Sequence, residues 1–236
     1  MRSVDTIAAF FGSILVLVAL VLIWAARLSI DHNVYVSEMG AAGEPTAGVF
    51  RIALLLIVGG GSLIAYASRA VHSRVRYLRA FSPAVSLWAA CAFFLVASQV
   101  TCTAGCPVPY GPQFTWQDLT HIVFAVLAFA AACWAMLQVS FAHNERRLAL
   151  FSRIAAVSVA TIAAAGGLLS LAGIATGFGS RLEFVATTIA IGWVAAYGAI
   201  IGSRHRSLAD APRPVVVDDQ LAVPDLAGDG LEDAIR

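Results

Sequence analysis

The stretch from Ile7 to Ala26 reads IAAFFGSILVLVALVLIWAA, twenty residues without a charged side chain. A helix needs about 20 mostly apolar residues to cross the roughly 30 Å hydrocarbon core of a bilayer, so this stretch is long enough for one span. Five further apolar runs follow: Ile52–Ser68, Ala80–Val100, Thr120–Ala142, Ile154–Thr176 and about Leu182–Ser203. None shows the period-two alternation of a transmembrane strand, which excludes a barrel. The expected fold class is all-α, a polytopic membrane bundle of six transmembrane helices. Residues 1–206 would form that bundle.

The composition points the same way. Apolar residues make up 60% of the chain and charged residues 12%, against about 25% charged in a soluble domain. Mean hydropathy is +0.83. The net charge of +1 and the lack of a basic stripe with interleaved aromatics give nucleic acid nothing to bind. All 15 basic residues are arginine, which a codon bias in a GC-rich genome explains.

Orientation follows from the arginines, because cytoplasmic loops carry the excess positive charge. With the N-terminus inside, the inner segments hold Arg2, then Arg69, Arg74, Arg76 and Arg79, then Arg146, Arg147 and Arg153, then Arg204, Arg206, Arg213 and Arg236. The outer segments hold only Arg27, Arg51 and Arg181. Twelve against three predicts N-in/C-in topology in a plasma membrane. A cleaved signal peptide is the competing reading of the first run. That run exceeds the apolar stretch of about 7–15 residues usual in signal peptides, and only Arg2 precedes Asp5.

Residues 207–236 differ in character. Pro212, Pro214 and Pro224 are followed by Asp218, Asp219, Asp225, Asp229, Glu232 and Asp233, too little apolar surface to fold alone. The expectation is a disordered acidic cytoplasmic tail, with Leu231–Ile235 as a possible helical turn against a protein partner.

Outward-facing chemistry is confined to two connections. The first runs from Ile30 to Pro45 and carries His32, Tyr35, Ser37 and Glu38. It reads either as a solvated loop or as a functional loop on a rigid scaffold. The second holds Cys102 and Cys106, then Trp116, Asp118 and His121. On the oxidising side the two cysteines close a small ring if the chain turns at Gly105, and otherwise remain free thiols. Cys91 and Cys133 lie inside spans and read as packing residues. Asp118 and His121, three residues apart, share a helix face. They are either a catalytic pair or an acid at the positive end of the helix with a hydrogen-bonded interfacial histidine.

Tyr35-Val36-Ser37-Glu38-Met39-Gly40, Gly43-Glu44-Pro45 and Val49-Phe50-Arg51, with the Cys106-Pro107 region leading through Thr115-Trp116 to His121, resemble the domain-of-unknown-function family 998 of bacterial and archaeal six-span membrane proteins. The resemblance covers residues 7–203, and Cys106-Pro107 stands where a Phe-Pro-like pair is expected. It implies architecture and no established activity. A more distant likeness is to the Frag/DRAM/Sfk group, which is tied to lipid remodelling and distribution.

The spans lack an ionisable side chain near their centres, which coupled ion transport normally uses; Glu183 and His121 stand at span ends. His121 alone cannot supply paired haem ligands, and no Walker, nucleophile-elbow or HExxH motif occurs. His72, His143 and His205 share the inner side, but neighbouring arginines oppose a metal there. No cofactor and no metal is expected. Glycines such as Gly59, Gly60, Gly61, Gly166 and Gly167 read as helix-packing positions, together with mild polar groups such as Gln99 and Gln138.

Three functions remain. The first is a membrane protein that binds or distributes lipid, or scaffolds a partner, with membrane lipids as its ligands. The second is an exoplasmic lipid-modifying hydrolase or transferase, with Glu38, Asp118 and His121 catalytic and His32, Ser37, Tyr35 and Trp116 binding. The third is a transporter of an uncharged small molecule along a Ser/Thr/Gln-lined path.

Overall fold

A computed structural model describes residues 2–107, 109, 111–142 and 146–210. Six helices carry the fold: α1 Arg2–Leu28, α2 Ala47–Ala67, α3 Pro83–Gln99, α4 Trp116–Val139, α5 Arg146–Leu171 and α6 Thr176–Asp210. The described residues contain no strand, so the all-α expectation holds among them. All but α3 are long and apolar enough to cross a membrane; α3 has 17 residues. The His143–Glu145 segment and residues 211–236, with the expectation of an acidic tail, lie outside the described residues. α6 itself continues past the expected boundary at residue 206 to Asp210.

The boundaries depart from the hydropathy runs where capping chemistry decides them. α3 begins three residues later than its run, because Ser82 accepts a hydrogen bond from the Val85 N–H and Pro83 sits at the first helical position. α4 begins four residues earlier than its run. Thr115 and Asp118 form a capping box there, which satisfies two donors at the polar start of the helix.

The helices close a ring. α1 packs on α2 and α6, and each of α2 to α5 packs on its successor. Tight approach at α1–α2 rests on Gly12 and Gly60, where a Cβ on either residue would lie 2.6 Å from the other's carbonyl oxygen. α5 and α6 approach similarly, with Gly179 3.3 Å by the same measure from the Gly166 carbonyl. Small residues let backbones meet where lipid supplies no hydrophobic drive. Trp193 and Tyr197 stack at 5.1 Å in the buried face of α6, and Trp193 Nε1 donates to the Ser152 hydroxyl of α5.

At the end where α1 begins and α6 ends, polar side chains tie the elements together. Arg69 reaches Asp5 at 2.8 Å, and that carboxylate's hydrogen bond holds the guanidinium pKa above its ordinary value. His205 Nε2 lies 3.0 Å from the Ala67 carbonyl at the end of α2. Fully buried Gln138 donates to the Leu78 and Phe81 carbonyls and accepts from the Ser86 hydroxyl. Gln138→Leu strips these groups of their partner and is expected to lower stability by about 1–3 kcal/mol. Thermal unfolding in detergent reads the loss; an unchanged midpoint would remove Gln138 as a pin between α3 and α4.

Candidate functional site

Two connections close the opposite end of the bundle, and their side chains are mostly consumed in folding. Residues 29–46 bury Val34, Val36 and Met39 rather than extending into solvent. Thr46 donates its hydroxyl to the Met39 carbonyl at 2.9 Å. Glu38 opens a short 3-10 turn, Glu38–Gly40, and accepts from the Tyr35 N–H at 3.1 Å.

In residues 100–115, Cys102 and Cys106 are joined by a disulfide with their Cα atoms 5.0 Å apart. The chain reverses there through Gly105, whose φ of 76° suits a residue without Cβ. Asp118, 0% exposed, anchors this loop to α4. One oxygen accepts from the Thr103 N–H at 2.7 Å and the other from the Thr115 N–H at 2.9 Å; both threonine hydroxyls also bond the carboxylate. The two connections meet where the Ala42 N–H donates to the Cys102 carbonyl at 2.9 Å, and Ser37 Oγ lies 4.0 Å from Cys106 Sγ.

Beneath them runs a cavity of about 80 Å³. Its walls are stripes at helical spacing: Phe50, Leu54 and Ile57 of α2, and Ala125, Phe129 and Ala132 of α4, face α6 across it. α1 and α3 complete the walls. On α6 the lining extends from Glu183 to Val194, about 16 Å at 1.5 Å per residue. The lining is apolar except for Ser37, His121 and Glu183 at the loop end and Thr187 one turn deeper on α6.

Each of these polar groups has a defined state. His121 Nδ1 lies 2.7 Å from the Val100 carbonyl and 3.1 Å from that of Ala97, at the C-terminal end of α3. Carbonyls only accept, so Nδ1 carries a proton, and Nε2 is the ring nitrogen left for another partner. Glu183 Oε2 accepts the Val36 N–H at 3.0 Å, tying the first connection to α6. Thr187 is 5% exposed, and its hydroxyl is buried without a hydrogen-bond partner.

The structure thus brings Ser37 and His121 to one cavity, and not Glu38 or Asp118, which hold backbone and threonine groups. Of the candidate binding residues, Trp116 is 84% exposed and Tyr35 half-buried. His32 is exposed and pairs with Asp31 at 3.1 Å, its hydrogen bond holding that carboxyl below the usual range. Sequence reasoning missed Glu183 and Thr187. Hydropathy put Glu183 at the edge of the sixth run, whereas α6 begins at Thr176 and carries it inward; an acid within an apolar run was the available signal. Among the described residues no three His, Cys, Asp or Glu side chains gather as metal ligands would. Comparison of the chain with protein-family models, curated proteins and solved structures finds no match.

Proposed function

We propose that this chain is a six-span plasma-membrane protein, with both termini in the cytoplasm, that binds lipid by taking an apolar chain segment into the cavity. The observation that carries the reading is the cavity itself, whose wall along α6 is apolar from beyond Thr187 to Val194, about 10 Å, and whose polar groups are confined to one end. Such a wall suits hydrocarbon. The arginine distribution, twelve inside against three outside, supports an outward-facing loop end. α3, about 26 Å long, serves as the sixth span with slight local thinning of the bilayer. The resemblance to family 998 supports six spans, and the distant likeness to the Frag/DRAM/Sfk group supports lipid handling by analogy. The acidic residues after the sixth span are assigned to a protein partner on their composition alone.

Native mass spectrometry of protein released from lipid nanodiscs tests the reading. The wild-type chain is expected to retain lipid. Ala132→Leu with Ala190→Leu, both lining the cavity, adds six carbon atoms in place of guest methylene groups worth about 0.8 kcal/mol each, and weakens retention by more than about tenfold. Equal retention by the filled variant, at unchanged unfolding temperature, would refute it.

One observation favours a second reading, an exoplasmic lipid-modifying enzyme: Ser37 and His121 line the same cavity. It predicts lipid turnover that His121→Ala abolishes.

A further inference from the structure

The polar end of the cavity also carries information about the head of its guest. This step rests on the lipid reading above. Four polar side chains are offered there: Ser37, His121, Glu183 and Thr187. Among the described residues no arginine lines the cavity. The outer arginines are placed elsewhere, Arg27 on the Ile30 carbonyl and the Phe184 ring, Arg51 on Gln99, and Arg181 exposed.

A phosphate or carboxylate head would find no arginine or lysine there to offset its charge, and an uncompensated charge in such an apolar site is costly. The groups left to bind are complementary to a different chemistry. In the tautomer that donates from Nδ1 to the Val100 and Ala97 carbonyls, His121 offers Nε2 as an acceptor. The Thr187 hydroxyl has no partner within the protein and both donates and accepts. A buried hydroxyl without a partner is costly, and a ligand group that satisfies it recovers that loss. One group that donates to an imidazole and accepts from a hydroxyl at once is an alcohol.

We propose that the cavity selects an uncharged, hydroxyl-headed lipid, with its O–H set between His121 and Thr187 and its chain along the α2–α4–α6 stripes. Glu183 is a positioning residue in this site: it holds the Val36 N–H, which fixes the first connection above the cavity.

Competition in nanodiscs tests this. The reporter is a diazirine-bearing hexadecane, which has no head; the competitors are hexadecanol, hexadecanoic acid, hexadecylamine and hexadecane, compared at equal membrane mole fraction. Hexadecanol is expected to displace the reporter at about tenfold lower mole fraction than hexadecane or the acid. Thr187→Val, which keeps the shape of the side chain, is expected to erase that preference while reporter labelling persists. Labelling of the cavity without any preference among the four competitors overturns the head-group assignment and leaves the lipid reading standing. Tighter competition by the amine overturns it too and makes Glu183 the partner of the head. No labelling of cavity residues at all removes both.

Discussion

Gly60→Leu is expected to destabilise the bundle by about 3 kcal/mol or more, the larger end of what overpacking does. A Cβ at residue 60 would lie 2.6 Å from the Gly12 carbonyl oxygen, 2.8 Å from Val16 Cγ2 and 3.0 Å from Leu15 Cβ. The nearest atom is backbone of α1, so relief requires α1 and α2 to separate along their whole seam. That separation would also open the cavity, since Val16 and Ile57 line it from these two helices. Gly59 is the control. A Cβ there meets nothing within 4 Å, and leucine has the better helix propensity by about 0.8 kcal/mol. Gly59→Leu should therefore leave the unfolding midpoint unchanged or raise it slightly, whereas Gly60→Leu lowers it by about 6–12 °C. Similar midpoints for the two variants would show that α1 and α2 do not meet at this pair.

Asp118→Ala is expected to lose about 3–5 kcal/mol. The carboxylate is fully buried and serves two N–H groups and two hydroxyls; hydrogen bonds to a charged group contribute about 1.5–3 kcal/mol each, and a buried donor left bare costs more. The acid also lies in the first turn of α4, where the helix dipole favours negative charge. Asp118→Asn keeps one accepting oxygen and turns the other toward its donors as an NH₂, so it should lose about half as much. Limited proteolysis between residues 100 and 115 should follow the same order. A loss under about 1 kcal/mol for Asp118→Ala would contradict the assignment of this residue to loop anchoring. It would also restore Asp118 as a free carboxylate available for chemistry.

These two residues illustrate how far the sequence could be read. Helix positions were legible because each apolar run exceeds what a soluble core requires, as Ile7–Ala26 does. Where runs end is decided by single side chains: Ser82 and Pro83 start α3, and the Thr115–Asp118 box starts α4. Hydropathy is blind to those. The site was only half visible for a related reason. His121 and Ser37 stood out by residue type, but Glu183 becomes relevant only because its carboxylate binds Val36, which lies 147 positions earlier. Thr187 looks like any polar residue in a span until its hydroxyl proves to have no partner. Asp118 and His121, three residues apart, read either as a catalytic pair or as a helix-entry acid with a hydrogen-bonded histidine. The structure spends both carboxylate oxygens on Thr103 and Thr115 and Nδ1 of the ring on backbone carbonyls. Chemistry that depends on contacts between distant segments was not legible, while chemistry written in local spacing was.

A structure determined in lipid nanodiscs would show whether an apolar chain occupies the ring of helices beneath the two connections. Elongated density is expected, running inward from His121 and Thr187, beside Ile57 of α2 and Phe129 of α4. A cavity found closed, with Phe94, Phe129 and Ile191 packed into the space, would contradict it.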